Sequence, residues 1–374
     1  MNRSTVERIY SSFFADGLEA IMKQALERSL TSVTVHECGK GLIVYSSSEP
    51  LRRVKALRFF RNTFLLLRRL NLPEGSSVDR ALKTLAGDGE TGVMVQRTGV
   101  GLRGTFRMII AEGSRLIPAK PASIESVERM ICEATGLRVN RSRPDHEFWL
   151  HMRSDGLMLF SLRITRHKAA EQALEKGELH PEIVDILCRL SDPQKGELFL
   201  DPFAGSGAIP IARASNFPCC TVLANDGDEE KVALLKTKMA RLRLQKHVVV
   251  RRMDALRMER YQNECFDKIV TDPPWGLFRK LPFAPHKFFG KMLAEFCRVL
   301  KPGGRVVILM SREHPLDAIR ANAAPALQLR SRYDILLSGK KASIYELMKR
   351  VPEARREATA TTAKGVAPRA TLIT

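Results

Sequence analysis

Leu198-Phe199-Leu200-Asp201-Pro202-Phe203-Ala204-Gly205-Ser206-Gly207-Ala208-Ile209-Pro210 is the stretch that decides the fold. A short apolar run ends in an acid, small residues follow, and a helical pattern begins. Glycine at 205 and 207 permits a left-handed backbone and lets a ligand approach the main chain closely. It is not a dinucleotide fingerprint, because Pro210 stands where the third glycine of that pattern belongs. A Gly-x-Gly turn also occurs for packing alone, so by itself the loop only modestly favours a nucleotide-like ligand. Downstream lie the runs Thr221-Val222-Leu223-Ala224, Val248-Val249-Val250, Lys268-Ile269-Val270 and Val306-Val307-Ile308-Leu309. Short runs of this kind suit strands buried on both faces. With helical patterns between them, they predict an α/β fold: a Rossmann-like, doubly wound, mainly parallel sheet from Glu178 to about Met348.

Acids close the next strands too. Asn225-Asp226 ends the second, where a carboxylate accepts both ribose hydroxyls of a bound nucleoside. Asp254-Ala255 follows the third, in position to accept an adenine amino group. Each acid alone reads first as a loop cap. Three in register with successive βα units point to an adenosyl ligand at the carboxyl ends of the strands.

The fourth strand runs into Thr271-Asp272-Pro273-Pro274-Trp275-Gly276. Two prolines pin the backbone and remove two N–H donors, so the turn displays carbonyls. Trp275 adds a stacking surface. An amine conjugated to a ring is a poor nucleophile, because its lone pair is spread into that ring. Asp272 and a proline carbonyl, accepting the two amine hydrogens, would draw the lone pair towards a methyl donor. Such chemistry requires no protein metal and no covalent nucleophile, since positioning and electrostatics supply the rate. His180, His247, His286 and His314 show no metal-ligand spacing.

Before residue 178 the pattern is mixed. Ala15-Asp16-Gly17-Leu18-Glu19-Ala20 leads into an amphipathic helix, and Gly41-Leu42-Ile43-Val44-Tyr45 reads as a strand. Between Glu49 and Glu74 there is no acid, but there are Arg52, Arg53, Lys55, Arg58, Arg61, Arg68 and Arg69. The apolar spacing among them predicts a helix with one basic face. His146–Leu150 and Met158–Arg163 read as strands joined at Ser154-Asp155-Gly156, and Lys168 to about Gly177 as a polar connector. The tail from about Glu353 has no periodicity and is expected to be disordered.

The 374-residue chain carries 61 Lys plus Arg against 41 Asp plus Glu, a formal charge of +20 with a pI near 10. Charge of this size concerns partners rather than fold and favours a polyanion such as nucleic acid. No apolar run approaches the length of a membrane span; Phe64-Leu65-Leu66-Leu67 stops at Arg68-Arg69. Seven scattered cysteines without a Cys-x-x-Cys pair fit a reducing, cytosolic-type compartment.

At these residues the chain resembles the class I S-adenosylmethionine-dependent methyltransferases whose target-nitrogen motif is Asp/Asn-Pro-Pro-Tyr/Phe/Trp. It looks most like the branch fused to an N-terminal THUMP-type RNA-binding region, which makes N2-methylguanosine in tRNA. The resemblance spans roughly Arg163 to Leu347. It includes Lys176–Glu182, Asp201–Gly207, Asp272–Gly276, Arg298–Gly304 and Ser338–Tyr345. It implies residues 1–166 as an α+β THUMP-like region, 167–350 as the methyltransferase domain and 351–374 as a tail. It implies that Asp201, Phe203, Gly205, Ser206 and Gly207 line the methionine end of S-adenosyl-L-methionine. Asp226 would then take the ribose, Asp254 and Ala255 the adenine, and Asp272, Pro273, Pro274 and Trp275 the target base. Two residues depart from the pattern. Gly227 replaces the usual apolar residue after the ribose acid, so Asp228 competes for that role, and Trp275 replaces the commoner Tyr. The expected partner is RNA, with tRNA first. The alternatives are a DNA adenine-N6 or cytosine-N4 methyltransferase, a protein glutamine methyltransferase, and a non-catalytic RNA-binding factor on the same scaffold.

Overall fold

The computed structural model describes residues 7–73, 75–113, 115–153, 156–165, 178–276, 280–314, 316–337 and 339–352. Ser154 and Asp155 of the expected turn, the connector from Lys168 to Gly177 and the tail from Glu353 lie outside the described residues. The chain divides into two compact units, Met1–Ala173 and Leu174–Thr374.

The first unit contains β1 (Arg8–Phe13), α1 (Glu19–Ser29), β2 (Thr34–Gly39), β3 (Leu42–Ser47), α2 (Leu51–Lys55), β4 (Asn62–Asn71), α3 (Val78–Gly87) and α4 (Gly89–Gln96). It continues with β5 (Thr105–Glu112), β6 (Arg115–Leu116), α5 (Pro121–Thr135), β7 (Arg138–Val139), β8 (His146–Met152) and β9 (Leu157–Arg163). One sheet runs β2-β3-β1-β4-β9-β8-β5-β6, with β7 beside β5. The helix after Gly17 and the strands at 42, 146 and 157 fall where the sequence pattern puts them.

The basic segment after Glu49 does not. It is a five-residue helix, α2, followed by the ten-residue strand β4. Thr63, Phe64, Leu65, Leu67 and Leu70 are all buried, because β4 sits centrally between β1 and β9. A central strand buries both faces, so its unbroken apolar run imitates a helical stripe. Arg68 and Arg69 are not a free basic face either. Arg68 pairs with Asp88 and Glu90, and Arg69 with Glu37.

The second unit contains α6 (Pro181–Leu190), β10 (Leu198–Asp201), α7 (Ala208–Asn216), β11 (Thr221–Asp226), α8 (Glu229–Arg241), β12 (Val248–Arg252) and β13 (Phe266–Thr271). Then follow α9 (Pro285–Val299), β14 (Leu300–Ser311), α10 (Leu316–Ala323), β15 (Leu327–Leu337) and β16 (Lys340–Lys349). The sheet order is β12-β11-β10-β13-β14-β16-β15. Strands β10 to β14 pair in parallel, and β16 pairs antiparallel with both β14 and β15. This is the doubly wound, mainly parallel sheet expected from the sequence. The strand order reverses between β10 and β13, so the loops at their carboxyl ends border the crevice where such sheets bind ligands. Strand β14 begins at Leu300, inside the Arg298–Gly304 segment, and its register with β13 shifts between Phe266 and Lys268.

One face of this sheet packs a core of Leu200, Phe266, Ile269, Phe289, Leu293, Phe296, Val306, Ile308 and Tyr345 against α9. On the helix that follows the glycine loop, Arg213 is fully buried. Its guanidinium donates to Glu197 at 2.7 Å and to the carbonyls of Gln194 and Pro218, and lies 5.7 Å from the centre of the Phe199 ring. This pair ties α7 to the entry of β10 and so sets the frame of the loop between them. Removing one partner of a buried ion pair leaves the other charge uncompensated. Arg213→Met should therefore cost about 3–5 kcal/mol in urea unfolding, and Arg213→Met with Glu197→Met should recover part of it. A single-variant cost below about 1 kcal/mol would show that the pair does not hold the frame.

Candidate functional site

Three strand ends of the second unit, those of β10, β11 and β13, meet through hydrogen bonds. The Asp201 carboxyl is buried at the end of β10. Its Oδ1 accepts from the Thr271 hydroxyl at 2.8 Å and from the Phe203 N–H at 3.2 Å. Thr271 closes the adjacent strand β13 and immediately precedes Asp272. One buried carboxyl thus joins the start of the glycine loop to the start of the Asp-Pro-Pro-Trp turn. Burial, opposed by those hydrogen bonds and reinforced by the charges of Asp272 and Asp226, pushes the Asp201 carboxyl up to about 8.

Asp226 reaches the same loop from the other side. Its Oδ2 accepts from the Gly205 N–H at 2.9 Å and its Oδ1 from the Asp228 N–H at 3.0 Å. Asp228 itself caps α8, accepting from the Glu230 and Lys231 N–H groups. Of the two candidate ribose acids, Asp226 borders the glycine loop and Asp228 serves the helix start. The loop is held further by the Ala204 N–H on the Asn225 carbonyl at 2.8 Å and by Lys238 Nζ on the Ser206 carbonyl at 2.9 Å.

The two glycines do different work. Gly207 has φ +84°, which strains any side chain, and a Cβ there would displace the tip of Leu235, whose Cδ1 lies 2.2 Å away. Gly205 has φ +49°, but a Cβ would meet nothing nearer than the Phe203 carbonyl at 3.9 Å. Space above Gly205 is open to a ligand. Ser206 is exposed, and the Phe203 ring lies 6.2 Å from that of Phe288. On the third strand end, Asp254 is exposed and its Oδ1 accepts from the Leu256 N–H at 2.9 Å. Ala255 beside it is buried.

In the fourth loop Pro273 is buried, Pro274 exposed, and Asp272 and Trp275 half-buried. The Trp275 indole N–H donates to Asp272 Oδ1 at 2.8 Å. Burial pushes the Asp272 carboxyl up to about 7, and the indole hydrogen bond opposes that rise. The sequence offers Trp275 as a stacking surface only; the structure adds a hydrogen bond that fixes one Asp272 oxygen and leaves the other free to accept. His314 Nε2 lies 3.1 Å from the Trp275 carbonyl oxygen. A carbonyl only accepts, so Nε2 carries the hydrogen and donates. Thr271, Lys238 and His314 escape a reading of motifs because each acts through a neighbour's backbone or carboxyl. Only Thr271, adjacent to Asp272, carries a positional hint.

Residues 169–333 match a family model described as UPF0020, an RMKL-like methyltransferase domain. The tRNA (guanine(6)-N2)-methyltransferase of Thermus thermophilus is 30% identical over 200 residues, 51% of this chain and 59% of that protein. The U6 snRNA (guanine-N(2))-methyltransferase THUMPD2 of Bos taurus is 25% identical over 201 residues, 52% of this chain and 39% of that protein. The chain thus spans between about two fifths and three fifths of the length of these relatives. In structure, TrmN from Thermus thermophilus superposes with a TM-score of 0.68 at 23% identity, covering 92% of this chain and 100% of that one. That likeness establishes the fold.

The methyl donor of such a domain is S-adenosyl-L-methionine. The residues present fit it: the donor carries a positive sulfur, and Asp226 and Asp272 lie close enough for their charges to act on Asp201 beside the open Gly205 backbone. The stretch similar to the RMKL-like methyltransferase domain model, residues 169–333, falls almost wholly within the second unit.

Proposed function

We propose that this chain is an S-adenosylmethionine-dependent RNA methyltransferase that forms N2-methylguanosine, with tRNA as the first candidate substrate. The observation that carries this reading is the Asp201–Thr271 hydrogen bond, which sets the Asp-Pro-Pro-Trp turn beside the glycine loop. Phe203, Gly205, Ser206 and Gly207 take the methionine end of the donor over a loop that Asp201 braces from below. Asp226 takes the ribose, and Asp254 and Ala255 take the adenine. The bound donor supplies an electrophilic methyl group whose departure leaves a neutral thioether.

The protein's part is to hold the acceptor. The target guanine, flipped from its stack, lies against Trp275, and its N2 hydrogens meet the free oxygen of Asp272 and a proline carbonyl. The nitrogen lone pair then forms the N–C bond as the S–C bond breaks and its electrons pass to sulfur. The nitrogen becomes acidic only in that step, and one of its protons leaves to the Asp272 carboxylate or to water. Asp272 takes up that proton only when ionised.

Exposed Arg52, Lys55, Arg58 and Arg61 of the first unit have no ion pair among the described residues and suit RNA phosphates. The relatives named above act on guanine N2 in RNA, which favours guanine over the DNA amines that share the motif.

The test is to incubate the full chain and labelled donor with bulk tRNA, duplex DNA and protein extract, then digest and identify the labelled product. Label in N2-methylguanosine is expected, whereas label confined to DNA or protein refutes the reading. Because Asp272 must be ionised, kcat/KM should rise with pH through about 7. Trp275→Phe removes the donor that favours the ionised form, so that limb should move to higher pH. An unshifted limb would separate the indole from the charge state of Asp272.

A further inference from the structure

Positive charge is unevenly placed in the second unit. Residues 231–260 carry ten Lys or Arg and two Asp or Glu, whereas the remainder of 178–352 carries nineteen and eighteen. Outside that one stretch the unit is close to neutral. The stretch comprises α8 from its third residue, the loop to β12, β12 itself and the turn after it. Strand β12 is an edge of the sheet, and α8 packs beside it.

Some of these cations have local work. Lys238 holds the Ser206 carbonyl, Arg251 lies over the Tyr261 ring, Arg252 pairs with Glu229, and Arg257 pairs with Glu259. The other six, Lys231, Lys236, Arg241, Arg243, Lys246 and Arg260, are exposed and have no carboxylate partner among the described residues. Cations on a sheet edge also serve to repel a second edge. That duty fits Arg251 and Arg252, which lie on β12; the other eight lie on α8 and the flanking loops. Like charges gathered in one stretch of the unit repel one another, and a polyanion relieves that repulsion by releasing its own counterions.

We propose that the β12–α8 edge of the methyltransferase unit is a docking surface for the phosphate backbone of the substrate RNA, separate from the basic residues of the first unit. It rests on the RNA reading above. Helix α8, with thirteen residues, is roughly 20 Å long, enough to follow several phosphates. Such contacts position the RNA without reading its sequence.

The test uses the full chain carrying Lys236→Gln, Arg241→Gln, Arg243→Gln and Lys246→Gln together, none of them in the donor or base site. RNA affinity should fall about tenfold or more, and the slope of log K against log salt should become shallower by about 2–3. KM for RNA should rise, with kcat at saturating RNA and donor affinity unchanged. A variant with Lys and Arg exchanged at the same four positions should keep wild-type affinity. Unchanged affinity and salt slope in the Gln variant, while the wild type methylates RNA, overturns the surface and leaves the function standing. Self-association of the Gln variant with unchanged RNA affinity assigns the cations to edge protection and also overturns it. A wild type that methylates no RNA overturns the functional reading and this surface with it.

Discussion

The site depends on one buried carboxyl. Asp201 sits at the end of the central strand of a parallel sheet, and its oxygen accepts from the loop that follows it and from the last residue of the neighbouring strand. In the function proposed above, the glycine loop holds the donor and the Asp-Pro-Pro-Trp turn the acceptor, and about 1 Å of misplacement between them is costly. The Asp201–Thr271 bond couples their positions directly. Other contacts extend the brace: Asp226 on Gly205, Lys238 on Ser206, and His314 on Trp275.

The same crowding sets the electrostatics. Asp201 and Asp272 are driven towards their neutral forms by burial, and Asp201 further by its two acidic neighbours. Both carboxyls are ionised in the unfolded chain above about pH 4, so their raised values stabilise the fold at low pH. That contribution is lost as pH rises through about 7–8. The fold therefore keeps an unfavourable set of carboxyls where function needs acceptors. A ligand with positive charge reverses the sign of that cost.

Much of this was legible before any coordinates. The Gly205–Gly207 loop, the strand-end acids and the Asp272–Trp275 turn are local signals, each confined to a few residues, and the sheet order brings them together as the pattern implies. The basic stretch from Arg52 to Arg69 was not, because a strand buried on both faces has no period to betray it. Nor was the indole hydrogen bond to Asp272, which depends on a rotamer rather than a residue type. The basic edge at α8 and β12 was spread through a charge total of +20, and only the sheet order shows that its parts lie together.

In the proposed function, crowded, half-neutralised carboxyls form the seat of a cationic donor. Calorimetric titration of S-adenosyl-L-methionine into the full chain at pH 7, in buffers of differing heats of ionisation, tests it most directly. Because the donor's positive sulfur favours the ionised forms of Asp201 and Asp272, binding should release protons to the buffer, and Asp272→Asn should release fewer. Tight binding with heats independent of the buffer would contradict the account, since the carboxyls would then not sense the donor's charge.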